Sequence, residues 1–237
     1  MSERTRLHEL HDQGQSPWMD NLRRGWLTSG ELARWVERGI RGLTSNPSIF
    51  QKAISTGSDY DEQFGALMSG GTTVTEAYWQ LVTSDIEGAL ALLRPVYDAS
   101  DGVDGYVSVE VAPSLARDSA GNVEAARRLH EAIAQPNLYV KIPGTAEGIA
   151  PIQAMIAEGR SINVTLIFSL DRYAEVIEAY LAGLEQAKGD LSRISSVASF
   201  FISRVDTEVD RRLDEIGTPA ALALKGRAAV AQAQVAY

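Results

Sequence analysis

The stretch that most constrains the fold is Leu138-Tyr139-Val140-Lys141-Ile142-Pro143-Gly144-Thr145, an almost wholly apolar run that holds one lysine. A strand of this kind, closed by Pro-Gly and by a threonine able to cap a helix, is typical of a βα unit in a parallel sheet. Because side chains alternate along a strand, Lys141 shares a face with Tyr139, and a helix that covers the other face leaves Lys141 pointing inward. Such a lysine either pairs with a carboxylate or acts as the amine that attacks a carbonyl carbon.

The same alternation of strand and helix recurs along the chain. Strand patterns, each followed by a helical pattern, cover residues 16–22, 39–48, 105–111, 161–168 and 194–202. Helices of this length allow the right-handed crossovers of a parallel sheet, so the chain is predicted to be an α/β protein. The sequence contains neither GxGxxG nor GxxxxGK[ST], which favours a TIM-type (β/α) barrel over an open doubly wound sheet.

Three regions add helices to this pattern. Residues 57–100 are predicted to be a helical insertion, broken into two helices at Gly70-Gly71. An alanine-rich helix is predicted to run from Thr218-Pro219 to the end of the chain. Asp206, Asp210 and Asp214 recur every four residues beside Arg211 and Arg212, and are interpreted as a solvated helix face with local ion pairs.

Composition excludes several classes of function. A chain of 237 residues with 45% hydrophobic and 22% charged residues can form a globular core, and its net charge of -9 argues against nucleic-acid binding. The absence of cysteine removes disulfides, thiolate nucleophiles and cysteine metal sites, and points to a reducing cytoplasm. No apolar run approaches membrane-spanning length, so no membrane association is expected. The three histidines lack metal-site spacing, and no metal is expected.

Polar residues recur at or near the carboxyl ends of successive predicted strands. These residues are Asp20, Asn46, Glu110, Lys141, Asn163, Thr165 and Ser199. Each has a structural alternative: Asp20 and Asn46 could cap helices, Glu110 could pair with Lys141, and the others could satisfy backbone groups. A closed sheet would bring them to one mouth, with an amine, two carboxylates for proton transfer and several groups able to bind a polyol. Strand position alone favours Glu110 as the main base.

Four ordered motifs carry a resemblance to a known family. They are Thr44-Ser45-Asn46-Pro47-Ser48, Val140-Lys141-Ile142-Pro143-Gly144-Thr145, Asn163-Val164-Thr165-Leu166-Ile167-Phe168-Ser169 and Ser199-Phe200-Phe201-Ile202-Ser203-Arg204. They are similar to the motifs of transaldolases, and Trp18-Met19-Asp20-Asn21-Leu22 resembles the longer bacterial branch of that family. The resemblance implies a (β/α)8 barrel enzyme of the pentose phosphate pathway without a metal or organic cofactor. Its substrates would be sugar phosphates.

The resemblance also implies a role for each matched residue. Lys141 would form a Schiff base with fructose 6-phosphate or sedoheptulose 7-phosphate, and Asp20 would take the proton of the hydroxyl whose carbon becomes the departing aldehyde. Glu110 and Thr165 would hold the water that shuttles protons. The remaining matched residues would bind substrate: Asn46, Asn163 and Ser199 the retained dihydroxyacetone unit, Phe201 as a wall, and Arg204 the phosphate.

The predicted strand count departs from the family. Six βα units are counted where the resemblance calls for eight, so residues 1–237 are expected to form a single barrel domain that is incomplete at its C-terminal end. Exposed sheet edges are then expected to permit self-association. The alternative to an active transaldolase is a catalytically weak or inactive barrel fragment that persists by association.

Overall fold

The computed structural model describes residues 4–237, which fall into two compact units. The first unit contains the chain up to Pro113 together with Arg128–Val140, and the second contains Ser114–Arg127 and Lys141–Tyr237. That these residues form one domain, and that they self-associate through sheet edges, both stay predictions.

All six predicted strands are present, and helices follow them as expected. The elements, in chain order, are α1 (Arg6–Asp12), β1 (Trp18–Asp20), α2 (Arg24–Thr28), α3 (Glu31–Glu37), β2 (Gly42–Thr44), α4 (Pro47–Ser55), α5 (Asp61–Ser69), α6 (Val74–Ala99), β3 (Val107–Glu110), a 3-10 turn (Pro113–Leu115), α7 (Ser119–Ile133), β4 (Leu138–Pro143), a second 3-10 turn (Ala146–Gly148), α8 (Ile149–Ala157), β5 (Ile162–Ile167), α9 (Leu170–Gln186), β6 (Ser196–Phe200), α10 (Ser203–Ile216), α11 (Pro219–Leu222) and α12 (Ala228–Ala236).

In the first unit, the strands are ordered β1-β2-β3-β4. The pairs β1–β2 and β2–β3 are parallel, with Asp20 opposite Thr44 and Thr44 opposite Ser108. At the start of β4, the carbonyl of Asn137 accepts a hydrogen bond from the Val107 amide at 3.0 Å. This register aligns the carboxyl ends of β1, β2 and β3.

Helix α6 supplies the main apolar face of the first unit. An apolar stripe of this helix lies in the core, because Leu81, Val82, Ile86, Leu90 and Leu93 are all buried. The break at Gly70-Gly71 is confirmed, since α5 ends at Ser69 and Gly71 has a φ of 85°. The 57–100 region is therefore helical, and its status as an insertion stays a prediction.

An aromatic stack fills the sheet face of the first unit near the start of its strands. Tyr139 stacks on Tyr106 with ring centroids 4.0 Å apart and on Trp18 with centroids 6.1 Å apart. Gly42, which pairs with Trp18, is required by this stack, because a β-carbon there would lie 2.2 Å from the indole. The half-buried Trp18 ring therefore packs against Tyr139 and Gly42.

In the second unit, the strands are ordered β4-β5-β6, and β5 and β6 are parallel. Helices α8 and α9 pack closely because Gly183 carries no side chain, and a β-carbon there would lie 2.7 Å from Ile156 Cβ. The predicted cap at Thr145 is confirmed, because its hydroxyl accepts a hydrogen bond from the Gly148 amide. Ser169 caps α9 in the same way, accepting from the Arg172 amide.

The C-terminal region contradicts two predictions. The alanine-rich helix is interrupted after α11, where Gly226 has a φ of 70°, and resumes as α12. The three aspartates of α10 do not pair with its arginines: Asp206 and Asp210 accept hydrogen bonds from the amides of Ala229 and Gly226, and Asp214 pairs with Lys225. Arg211 and Arg212 pair instead with Glu208, and Arg211 also with Glu215. The aspartates therefore tether the segment that leads into α12.

Six strands in sequential order, alternating with helices, match the predicted fold class, a part of a TIM-type barrel. Between Arg4 and Tyr237, no helix combines the length and apolarity needed to cross a membrane.

Candidate functional site

The first unit carries the two predicted acids at the carboxyl ends of its strands. Asp20 is the last residue of β1 and is exposed, whereas Glu110 is the last residue of β3 and is half-buried. Asp20, Thr44 and Ser108 are in register across β1, β2 and β3. Because Glu110 lies two residues beyond Ser108, the two carboxylates share one face of the sheet.

The helix-cap alternative holds for Asn46 and is wrong for Asp20. Asn46 Oδ1 accepts a hydrogen bond from the Ile49 amide at 3.0 Å and caps α4. Helix α2 instead has Arg23 in the cap position, with no side-chain hydrogen bond. Capping occupies the oxygen of the Asn46 amide, so its NH2 group is the part suited to a ligand.

Two residues of the first unit, one on this sheet face and one on α6, were missed by sequence reasoning. Thr44 Oγ1 is buried and has no hydrogen-bond partner among the residues that the structure describes. Tyr78, on α6, is half-buried, and burial followed by the nearby charge of Glu110 raises the pKa of its phenol. Thr44 could have been found from its two-residue spacing to Asn46, whereas Tyr78 had no signal beyond its place in an apolar stripe.

The second unit carries the predicted amine. Lys141 lies in the middle of β4 and is only 5% exposed, with Asn163 and Thr165 on the neighbouring strand each 2% exposed. The ends of these strands are joined directly, because the Gly144 amide donates to the Thr165 carbonyl at 2.6 Å. The lysine is therefore held on a buried strand beside buried polar side chains, as the sequence predicted.

Asn163 and Ser199 are brought together by the pairing of β5 with β6. The Ser199 hydroxyl donates to Asn163 Oδ1 at 2.8 Å. This bond fixes the orientation of the Asn163 amide, because its oxygen must face Ser199. The Ser199 hydroxyl is thus paired with a side chain on the neighbouring strand.

Phe201 and Arg204 also lie together, just past the end of β6. The Arg204 guanidinium lies 4.5 Å from the centroid of the Phe201 ring, and that ring stacks on Phe168 with centroids 4.8 Å apart. Arg204 is exposed, and no carboxylate in residues 4–237 forms an ion pair with it. Phe168 lies within one of the matched motifs but was assigned no role, and simple alternation would place it on the opposite face from Thr165.

Each unit thus gathers part of the predicted constellation. Asp20, Asn46 and Glu110 belong to the first unit, which supplies carboxylates for proton transfer. The second unit supplies an amine, hydrogen-bonding groups and an arginine suited to an anion, namely Lys141, Asn163, Thr165, Ser199, Phe201 and Arg204. Within the described chain, no group of three or more histidine, aspartate or glutamate side chains is placed to hold a metal ion.

Comparison with known proteins identifies a family. The sequence profile described as Transaldolase/Fructose-6-phosphate aldolase matches residues 17–237. A protein named Transaldolase from Arthrobacter sp. (strain FB24) is 50% identical over 98% of this chain and 64% of its own length. Transaldolase 1 of Streptomyces coelicolor and Transaldolase of Thermobifida fusca are each 52% identical over 98% of this chain, which covers 62% and 64% of their respective lengths. The chain therefore spans less than two thirds of the length of these relatives.

Proposed function

Because this chain belongs to the Transaldolase/Fructose-6-phosphate aldolase family, we propose that it transfers a dihydroxyacetone unit from a ketose phosphate to an aldose phosphate through a Schiff base at Lys141. The donors are fructose 6-phosphate or sedoheptulose 7-phosphate, and the reaction belongs to the pentose phosphate pathway of the cytoplasm. The observation that carries the proposal is a lysine 5% exposed on a buried strand, beside buried Asn163 and Thr165.

The first step is carbonyl attack by Lys141. Its amine, in the neutral form, attacks the ketone carbon to give a carbinolamine. A proton delivered through the water held by Glu110 and Thr165 then lets the hydroxyl leave as water, which leaves a protonated imine. The imine accepts the electron pair released when the neighbouring carbon–carbon bond breaks. Burial of the amine supports this role because little solvent competes with the ketone at Nζ.

The proton transfers fall to the residues at the strand ends. Asp20 takes the proton of the hydroxyl whose carbon becomes the departing aldehyde, and returns it when the acceptor is attacked. Glu110 and Thr165 hold the water consumed and released during imine hydrolysis and formation. The exposure of Asp20 supports its role, since its carboxylate can be reached by a substrate hydroxyl. Burial, and after it the charge of Glu110, raises the pKa of Tyr78, which keeps that phenol protonated.

The remaining polar groups hold the substrate. Asn46, through its NH2 group, and the Asn163–Ser199 pair bind the hydroxyls of the three-carbon unit, which must wait for an acceptor. Thr44 Oγ1 adds a hydroxyl able to bind the same unit. Arg204 binds the phosphate, and its support by a ring instead of a carboxylate leaves its N–H donors for an anion.

Borohydride trapping tests the Schiff base. The protein is incubated with fructose 6-phosphate and sodium borohydride, and the adduct is located by intact mass and peptide mapping. We expect one adduct on Lys141, none in Lys141→Met, and an undiminished adduct in Lys188→Met, which removes an exposed lysine. An adduct that persists in Lys141→Met would contradict the assignment.

A coupled assay tests transfer and the identity of the base. Release of glyceraldehyde 3-phosphate is followed with and without erythrose 4-phosphate, and a transferase requires the acceptor for turnover whereas an aldolase does not. Asp20→Asn should slow carbon–carbon cleavage by about 100-fold or more while adducts still form. If Asp20→Asn cleaves at the parent rate and Glu110→Gln does not, the base is Glu110, as strand position alone suggested.

A further inference from the structure

Three side chains form a continuous stack at the carboxyl end of the second unit's strands. Phe168 lies parallel to Phe201 within 10°, and Arg204 covers Phe201 with its guanidinium carbon 4.5 Å from the ring centroid. Phe168 is 39% exposed, and Phe201 is the one aromatic ring that it contacts in the described chain. The arginine therefore rests on one aromatic ring that itself rests on another.

A bulge in β5 puts Phe168 in this stack. Along the β5–β6 pair, Val164 opposes Ala198, but the next pair joins Ile167 to Phe200, so β5 contains one extra residue. Without that residue, Phe168 would share the face of Val164. With it, Phe168 moves to the face that carries Thr165 and Asn163.

The bulge has an unusual backbone conformation at one residue, and hydrogen bonds hold the chain beside it. Leu166 has a φ of 62°, in the left-handed region that leucine rarely adopts, and such strain is retained where the surrounding structure requires it. On the other side, Gln232 Nε2 donates to the Phe168 carbonyl at 2.9 Å, and Ser169 caps α9. The backbone of Phe168 is thus held from both directions, which fixes where its ring can lie.

We propose that Phe168 is a positioning residue that orients Arg204 toward the substrate phosphate by supporting the Phe201 ring beneath the guanidinium. This inference rests on the proposed function for its ligand, and on the Phe168–Phe201–Arg204 geometry for its mechanism. An unsupported arginine side chain samples many rotamers, whereas a stacked one loses less freedom when it binds an anion. The role predicts an effect on affinity for phosphorylated ligands and none on bond making at Lys141.

Three variants separate the effect of the Phe168 aromatic ring from the effect of its side-chain volume. Phe168→Leu removes the stack but keeps an apolar side chain, and Phe168→Tyr restores a ring. Phe64→Leu removes a phenyl group of similar exposure, 37%, that has no aromatic or cation–π partner within residues 4–237. Calorimetry gives the dissociation constants of fructose 6-phosphate and inorganic phosphate, and borohydride trapping of dihydroxyacetone reports on Lys141 without a phosphate.

We expect Phe168→Leu to weaken binding of both phosphorylated ligands about three- to ten-fold, the size of stacked aromatic and cation–ring contributions. Phe168→Tyr and Phe64→Leu should bind like the parent, and all should trap dihydroxyacetone equally. In an Arg204→Met background, Phe168→Leu should have no further effect, because its partner is gone.

Three results would overturn the inference: unchanged phosphate affinity in Phe168→Leu, an equal loss of dihydroxyacetone trapping, or a full effect of Phe168→Leu in the Arg204→Met background. If the parent traps no ketose but binds inorganic phosphate through Arg204 and Phe168, the proposed reaction fails and the positioning role stands.

Discussion

A buried network in the first unit allows one hydroxyl group to be tested in isolation. The Tyr60 hydroxyl donates to Asp85 Oδ2 at 2.7 Å and accepts from the Arg24 amide at 3.0 Å. Arg24 also donates from Nε to Asp85 Oδ1 at 2.8 Å, and its guanidinium lies 4.5 Å from the Tyr60 ring centroid. Tyr60→Phe keeps the ring under the guanidinium and removes only the hydroxyl.

The expected cost follows from what the deletion leaves unpaired. One hydrogen bond to a buried carboxylate is lost, and one backbone amide loses its acceptor, so Tyr60→Phe should lower the free energy of unfolding by about 2–4 kcal/mol. Tyr106→Phe is the matched control: both tyrosines are at most 3% exposed, but the Tyr106 hydroxyl donates to a neutral carbonyl, that of Gly102, at 2.9 Å. That control should cost about 1 kcal/mol.

The same network makes the cost of Tyr60→Phe depend on pH. Burial raises the pKa of Asp85, and the hydrogen bonds from Tyr60 and Arg24 oppose that rise. Without the hydroxyl the folded-state pKa of Asp85 rises further, so the folded variant binds more protons than the folded parent between the two values. The difference in free energy of unfolding between the parent and Tyr60→Phe therefore widens as pH rises between these two pKa values and narrows as pH falls.

Guanidinium chloride unfolding, followed by tryptophan fluorescence and circular dichroism, measures both effects. Midpoints are compared at equal m-values from about pH 7 down to about pH 4.5. If Tyr60→Phe costs no more than Tyr106→Phe, or if the gap is the same at every pH, Asp85 is not the charged centre of the network and the reasoning is wrong.

Three further predictions concern packing, acid stability and backbone strain. Gly42→Ala should destabilise the protein by about 1–3 kcal/mol in the same unfolding assay, because the new β-carbon would lie 2.2 Å from the Trp18 ring; an unchanged midpoint would show that the indole moves freely. The hydrogen bond from Arg127 lowers the pKa of Glu158, so its stabilisation is present above the ordinary value of 4.5 and is lost as pH falls through the lower folded value. Glu158→Gln should therefore melt at a lower temperature than the parent at neutral pH and at the same temperature in acid. Melting temperatures measured as a function of pH check this. The variant Leu166→Gly should be more stable than Leu166→Ala by about 1 kcal/mol, although alanine is normally the more stabilising of the two residues. A more stable Leu166→Ala variant would argue against the left-handed conformation.

Local features of the fold were predictable from the sequence because they depend on residues within a few positions. The oxygens of Asn46, Thr145 and Ser169 each accept a hydrogen bond from an amide three residues ahead, as capping requires. Strand–helix alternation likewise follows from the apolar period of each segment, so the six strands were correctly predicted. The prediction of one continuous alanine-rich helix was wrong. Alanine favours a helix at every position, so it gives no sign of the break, which occurs where Gly226 adopts a positive φ.

Tertiary structure alone decided which distant groups meet. Asp85 finds its partners 25 and 61 residues away along the chain, and no local pattern encodes such a pairing. The face occupied by Phe168 was likewise undetermined, because one extra residue in the pairing of β5 with β6 reverses every later side chain of the strand. The sequence by itself determined the elements and the chemistry they carry, through short-range periodicity and capping. The register between strands is a property of two segments at once, and it determined which face of the sheet each of these side chains occupies.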